Sequence, residues 1–402
     1  MKVDKPQLRF STFDEYWVGA KLSKLGSFLG GGTPDTNNAA YWTGHIGWLS
    51  SADVTDNILF VKPKKHITEA AIKASATKLV PQNSLLFVSR VGVGKLAINS
   101  SPVCTSQDFT NFTPTSVEVS FLGYYFQANK NLLKRYSQGT TIKGLTKDVV
   151  ESIYVSFPES NNEQQKIADF LSSVDTKISQ LTEKHRLLKE YKKGLMQQIF
   201  SQKIRFRDDD GEAFPKWTEN RLDYFIERVS DPVDLVTGVK YREIGIRSHG
   251  KGIFHKNPVT SSDIGNKRVF WVKEEALVLN IVFAWERAVA VTSDSENGFI
   301  ASHRFPMYLP KENRADVNYL LYFLLSPKGT RLLNIASPGG AGRNKTLGQS
   351  EFSKLKVCLP SIKEQQKITQ FLQVIDSKIE GVGTQLEQIK LFKKGLLQQM
   401  FV

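Results

Sequence analysis

Cysteine is almost absent from this chain: only Cys104 and Cys358 occur in 402 residues. That excludes a disulfide framework and a cysteine-rich zinc site, and it fits a reducing cytosol. The opening MKVDKPQLRF has no apolar core of the kind a secretory leader needs, so no signal peptide is expected. No stretch approaches the ~18 uninterrupted apolar residues of a membrane span, so no membrane partner is expected. Catalytic signatures are missing as well. There is no His-Glu-x-x-His. There is no Asn/Asp-Pro-Pro-Tyr/Phe loop of the kind with which amino-methyltransferases hold a flipped base. Arg90-Val-Gly-Val-Gly-Lys95 resembles a phosphate loop only in part, since Ser89 stands where the first glycine should be and Leu96 where Ser or Thr should be. A strand-end turn is the simpler reading. Asp175-Thr-Lys177 and Asp376-Ser-Lys378 could form half of a nuclease motif, but both fall in helical patterns, where such charges are surface decoration. His303 beside Ser302 has no third partner in the pattern. The chain reads as non-catalytic, with no cofactor or metal site of its own.

Acidic residues are also in deficit: 40 Asp and Glu face 54 Lys and Arg, a net charge of +14. The excess is spread along the chain, with no polybasic tail, so basic faces on folded domains are expected. A polyanion is the natural partner for such faces, although a merely solvated basic surface has the same composition.

What the chain does contain is a repeat. Residues 163–200, EQQKIADFLSSVDTKISQLTEKHRLLKEYKKGLMQQIF, recur at 364–401 as EQQKITQFLQVIDSKIEGVGTQLEQIKLFKKGLLQQMF, with a constant offset of 201 and no gap. Each copy follows a short apolar run ending in proline, Pro158 or Pro360. Glu163 and Glu364 fall in the first helical turn, where a carboxylate suits the helix dipole. Upstream, Leu8-Arg9-Phe10, Trp17 and Leu22 are echoed by Ile204-Arg205-Phe206, Trp217 and Leu222. The organisation is globular (1–158), helix (159–203), globular (204–359), helix (360–402). The globular middles differ in sequence. Short runs at Ser84–Val88, Lys95–Ile98, Val117–Phe121, Ala276–Phe283 and Val289–Thr292 read as strands, and Gly123–Tyr136 and Asn318–Leu333 as helices. Each part is therefore mixed α+β.

In the first helix the apolar set is Ile167, Leu171, Val174, Ile178, Leu181, His185, Leu188, Tyr191, Leu195 and Ile199. In the second it is Ile368, Leu372, Ile375, Ile379, Val382, Leu386, Ile389, Phe392, Leu396 and Met400. Steps of four and three dominate, which is the seam of a coiled coil. Thirty-eight helical residues span roughly 57 Å. The seam can be filled by the other helix of the same chain or by a second chain; the internal two-fold repeat favours antiparallel packing within the chain. His185, opposite Leu386 in the repeat, reads as a seam residue and not a catalytic one. Gly194 and Gly395 recur at one repeat position, as a close contact with another helix or a partner would require.

These features together resemble the specificity subunits of type I restriction–modification enzymes. The resemblance rests on the two EQQKI…KKGL(L/M)QQ(I/M)F helices and on the lead-ins LRF…YW…KL and IRFRDDDGEAFPKW…RL. It also rests on GGTPDTNNAAYWTGHIGWLSSADV (30–54), LLFVSRVGVGKLAI (85–98) and YREIGIRSHGKGIFHK (241–256), and it covers the chain end to end. It implies an α+β fold: two mixed α/β target recognition domains separated by two long antiparallel coiled-coil helices. It implies a bacterial cytoplasmic subunit in which each domain reads half of a split double-stranded DNA target. The helices would set the spacing and dock two methyltransferase subunits, with restriction/translocase subunits joining for cleavage. S-adenosylmethionine, ATP and Mg would then belong to the partner subunits. Polar residues in glycine-rich loops are the candidates for DNA contact: Thr33, Asp35, Asn37, Asn38, Arg90, Lys95 and Lys143 in the first domain. In the second they are Arg242, Arg247, His249, Lys251, Arg287, Arg304, Arg343, Asn344 and Lys345. A self-contained enzyme would need motifs this chain lacks. A stand-alone coiled-coil DNA-binding regulator would bind DNA without a methyltransferase subunit.

Overall fold

The computed structural model describes residues 2–3, 5–55, 59–136, 144–339 and 345–401. Two compact units emerge, and their limits cut through both long helices. The first contains Met1–Thr182 together with Thr384–Val402, the second Glu183–Gly383. Among the described residues no helix is long and apolar enough to cross a membrane.

In the first unit a five-stranded sheet runs in the order Gly26–Gly30, Phe109–Pro114, Leu85–Val88, Leu96–Asn99, Phe60–Val61. The strands Leu85–Val88 and Leu96–Asn99 are buried along their whole length because both faces are covered. Alternation sends Leu85, Phe87, Leu96 and Ile98 into the main core, and Leu86, Val88 and Ala97 into a second cluster with Leu49, Val80 and Val103. Helix Val119–Ala128 packs on the first of these faces. The run Val117–Phe121 mimics a strand by alternating apolar and polar residues, but it is the start of this helix. Glu118 caps it by accepting the Phe121 N–H, and Phe121, Leu122 and Tyr125 then share its buried side.

The second unit repeats the order of the first four strands from a different sequence, Ile226–Val229, Met307–Pro310, Leu277–Leu279, Val289–Val291, all antiparallel, and among the described residues this four-stranded sheet lacks a counterpart of Phe60–Val61. Helices Val317–Leu325 and Pro327–Ile335 follow, as Val119–Ala128 and Lys130–Tyr136 do in the first unit. The strand expected to run to Phe283 ends at Leu279, and 280–288 forms its own loop. The structural repeat therefore extends through the middles, where the sequences differ.

The long helices are Asn161–Phe200 and Ile362–Gln399. In the first unit Ile167, Leu171 and Val174 share a core with Leu396, Met400 and Phe401 from the end of the second helix. In the second unit Ile368, Leu372 and Ile375 share a core with Met196, Ile199 and Phe200 from the end of the first. Pairing is antiparallel: in the second unit Lys192 meets Asp376, while His185 lies against Gly383. The two aspartates that read as surface decoration in the sequence are in fact helix–helix anchors. Asp376 takes Lys192 Nζ at 2.7 Å and the Tyr322 hydroxyl at 2.7 Å; Asp175 takes Lys393 Nζ at 2.8 Å and the Tyr124 hydroxyl at 3.0 Å. Burial, reinforced by the nearby aspartate, pushes both tyrosine hydroxyls far above their ordinary range, so they stay protonated and donate.

The repeated Glu-Gln start has a structural purpose beyond the helix dipole. Glu163 and Glu364 are each 1% exposed and are held by Arg9 and Arg205, so the repeated arginine of each lead-in pins its segment to its helix. Gln164 and Gln365 donate to the carbonyls of Pro158 and Pro360, and accept the backbone N–H of Glu118 and Asp316. The seam residues Ile178, Leu188, Leu195, Ile379 and Ile389 are half-buried, and the rest of the aliphatic set is buried. Two positions assigned to the seam face solvent: Tyr191 is 56% and Phe392 51% exposed, because Lys192 and Lys393 occupy the contact instead.

Candidate nucleic-acid interface

One hairpin in each unit carries or adjoins most of the candidate residues. In the first, Leu85–Val88 turns through 89–95 into Leu96–Asn99. Gly92 (φ 93°) and Gly94 (φ 97°) adopt backbone conformations that a side chain would strain, which is why this stretch imitates a phosphate loop. Ser89 fixes the root of the turn. Its N–H donates to the Asp108 carbonyl at 2.7 Å, and its own carbonyl accepts the Leu145 N–H at 2.7 Å. The hairpin is thereby tied to the 106–108 turn and to the segment following 137–143.

In the second unit Ile281 makes the same two bonds: its N–H donates to the Arg304 carbonyl at 3.0 Å, and its carbonyl accepts the Leu347 N–H at 2.8 Å. Arg287 closes this hairpin in the left-handed region, with φ 64°. The turn after strand Ile244–Ile246 docks beside it, His249 N–H on the Glu286 carbonyl at 2.7 Å and Gly250 N–H on that of Arg287 at 2.9 Å. Lys345 lies 5.5 Å above the Trp285 ring and donates to Asn334.

The candidates therefore distribute unevenly. Arg287, His249, Arg304 and Lys345 come from four separate segments and meet around one hairpin, and exposed Lys251 belongs to the docked turn. Arg247 is held near that turn by Phe254, whose ring lies 4.9 Å from the guanidinium. Arg242 precedes the opposite end of the same strand, over Phe299, and among the described residues nothing ties it to the cluster. In the first unit Arg90 is exposed and Lys95 half-buried on the hairpin. Thr33 donates to Gln107, in the turn that anchors Ser89, so the glycine-rich 31–38 loop adjoins the platform. Asp35 and Asn38 have local duties, accepting the N–H of Asn37 and Ala40, while Asn37 is exposed. Lys143, Arg343 and Asn344 lie outside the described residues.

Among the described residues, none of the ion pairs involves Arg90, Lys95, Arg242, Arg247, Lys251, Arg287, Arg304 or Lys345. The helix cations Arg186, Lys192 and Lys393 are by contrast all paired. Unpaired cations clustered on glycine-rich turns can take phosphate oxygens without first breaking a salt bridge. Away from the Arg287 cluster, at the Arg242 end of strand Ile244–Ile246, Glu296 is held below the usual carboxylate range. Burial pushes it up, but hydrogen bonds from His255 and from Ser293 and Ser295 outweigh that. Gln107, Val91, Phe283 and Trp285 lie on or beside these turns without being singled out by the sequence pattern, because turn geometry and not composition places them.

Two stretches, 15–189 and 243–391, match the type I restriction modification DNA specificity domain. The chain belongs to this family. Each copy of the specificity domain spans one hairpin platform and most of one long helix. The chain is 30% identical to the MjaIX specificity subunit of Methanocaldococcus jannaschii, over 51% of this chain and 50% of that protein. It is 24% identical to the MjaVIII specificity subunit of the same organism, over 95% of this chain and 91% of that one. A crystal structure of a type I restriction–modification S subunit from M. genitalium has the same fold, with TM-score 0.59, 14% identity and 99% coverage of both chains.

Proposed function

We propose that this chain is the non-catalytic DNA sequence-recognition subunit of a type I restriction–modification complex in the bacterial cytoplasm. Each unit reads one half of a bipartite double-stranded target. Methyl transfer with S-adenosylmethionine, and cleavage with ATP and Mg, reside in methyltransferase and restriction/translocase partners. The observation that carries this reading is the duplicated platform, in which two divergent copies build the same anchored hairpin and place on it cations that make no ion pair among the described residues. Different side chains on one scaffold are what two different half-sites require. Replacing Arg287 and Lys345 by alanine should weaken binding to cognate and random duplexes alike. It should lower the slope of log affinity against log salt by about 0.9 per lost phosphate contact. Titration of the methyltransferase-bound complex over a salt series tests this; an unchanged slope removes these residues from the interface. Tight sequence-specific binding by the chain alone would favour a stand-alone regulator.

Docking of the methyltransferase subunits is assigned to the outward faces of the long helices. Leu187, Tyr191 and Gly194 form one stripe at spacings of four and three, and Phe392 and Gly395 repeat it. Tyr191 and Phe392 are about half exposed, and nothing lies within 4 Å of where a side chain at Gly194 or Gly395 would begin. Among the described residues no contact of another segment therefore explains those glycines, whereas a partner helix could approach closely there. Tyr191→Asp and Phe392→Asp should each release one methyltransferase subunit, because a charge would be buried unpaired in the contact. The melting temperature of the free chain should not change. Size-exclusion chromatography with light scattering reads the stoichiometry; full assembly of the double variant would refute the assignment.

A further inference from the structure

Each hairpin carries an exposed apolar residue at its tip, two residues beyond the anchored root: Val91 after Ser89, and Phe283 after Ile281. Val91 is 66% and Phe283 40% exposed. Exposure of a large apolar side chain on a firmly held turn has a cost in water, and here it recurs at matching places in two units whose sequences differ. The turn around Phe283 is rigid. Its N–H donates to the Asn280 carbonyl at 3.0 Å, and its own carbonyl accepts the N–H of Glu286 at 3.0 Å and of Ala288 at 3.1 Å. Cations that make no ion pair among the described residues flank both tips, Arg90 and Lys95 in one hairpin and Arg287 in the other. An apolar tip between phosphate-seeking cations is held against base edges as the cations engage the backbone. In the major groove the apolar group that such a tip can recognise is the thymine 5-methyl.

We infer that Val91 and Phe283 are specificity-determining residues, each reading a thymine methyl in the half-site of its own unit. This rests on the recognition role proposed above and names the side chains that discriminate, as distinct from those that bind phosphate. The test uses the complex with methyltransferase subunits and its own target duplex, with each thymine replaced singly by deoxyuridine, which removes only the methyl. For the native chain, one replacement in each half-site should weaken binding about four-fold, the value of one buried methyl. In Phe283→Ser the replacement in one half-site, and in Val91→Ser that in the other, should have no further effect, giving a clean coupling between side chain and methyl. Both variants should keep the native salt slope and melting temperature, since neither side chain holds a phosphate or fills a core.

The inference is overturned if neither half-site contains a sensitive thymine, or if the variants and deoxyuridine act additively. It is also overturned if Phe283→Ser weakens cognate binding with no coupling to any methyl, which would make the side chain a wedge between base steps. These failures differ from failure of the recognition role itself, in which the native complex would show no sequence preference at all.

Discussion

Phe401→Ala is expected to loosen the unit that contains the N-terminal domain and to leave the other intact, although Phe401 follows the second domain in the chain. The Phe401 ring packs 5.4 Å from Phe121, 6.2 Å from Tyr125 and 6.5 Å from Trp17, all in the first unit. Its repeat counterpart Phe200 packs 5.7 Å from Tyr319 and 5.8 Å from Phe323, in the second. Both are nearly buried, at 8% and 3% exposure. Truncating a buried phenylalanine costs about 3–5 kcal/mol. That is a large share of the roughly 5–15 kcal/mol by which a domain is stable. Hydrogen exchange should therefore show faster amide exchange in strands Leu85–Val88 and Leu96–Asn99 for Phe401→Ala. In Phe200→Ala the fast region should move to Leu277–Leu279 and Val289–Val291. The opposite assignment, each phenylalanine acting on the domain just before it in sequence, would refute the crossed packing.

That crossing is where sequence reasoning reaches its limit. The two helices were legible because an apolar period near 3.5, sustained over 38 residues, suits a long packed helix and neither a strand nor a loop. Which half of one helix meets which half of the other was not, because both copies present the same seam and any pairing of halves satisfies it. Asp175 and Asp376 illustrate the point. Each looks like an exposed helical charge until the partner lysine, 218 and 184 residues away in sequence, is brought beside it. Tyr191 and Phe392 fit the apolar period yet face out, since their lysine neighbours satisfy the contact by reaching an aspartate. The shared sheet was hidden for a different reason. Its strands are only three to six residues long, and the two bonds that Ser89 and Ile281 share run through backbone groups, which place no demand on side-chain identity; the Ser89 hydroxyl adds a bond to the Asp108 carbonyl. On the platform, Arg287 and Lys345 could be read as cations in loops. That Lys345 lies over Trp285, on the hairpin that Arg287 closes, follows only from the fold.

The crossed arrangement also dictates how the proposed spacing role must be tested. Asp175 pairs with Lys393 in the first unit, and Lys192 with Asp376 in the second. Along the first helix 17 residues separate Asp175 from Lys192, and along the second 17 separate Asp376 from Lys393. Lengthening one helix alone makes these spans unequal, so the two registers cannot both hold without a bulge. A matched pair of four-residue insertions, after Glu183 and after Thr384, keeps the spans equal and preserves both anchors. Four residues add ~6 Å and little more than one full turn, so the outward faces are nearly restored. If the helices set the distance between half-sites, the unread gap in the DNA target should grow by about 1–2 bp, given ~34–36 Å per 10–10.5 bp turn. The bases of each half-site should stay the same, because no platform residue is touched. Selecting bound duplexes from a library of gap lengths, using the complex with methyltransferase subunits, reads the outcome without requiring catalysis. Sites with the native gap should drop out of the bound pool and longer ones replace them. Continued preference for the native gap, with both units shown intact by hydrogen exchange, would mean that spacing is set elsewhere. The single insertion after Glu183 is the internal control. It should lower the melting temperature, because it forces one of two part-buried helix contacts, and the apolar packing beside it, out of register, whereas the matched pair should not.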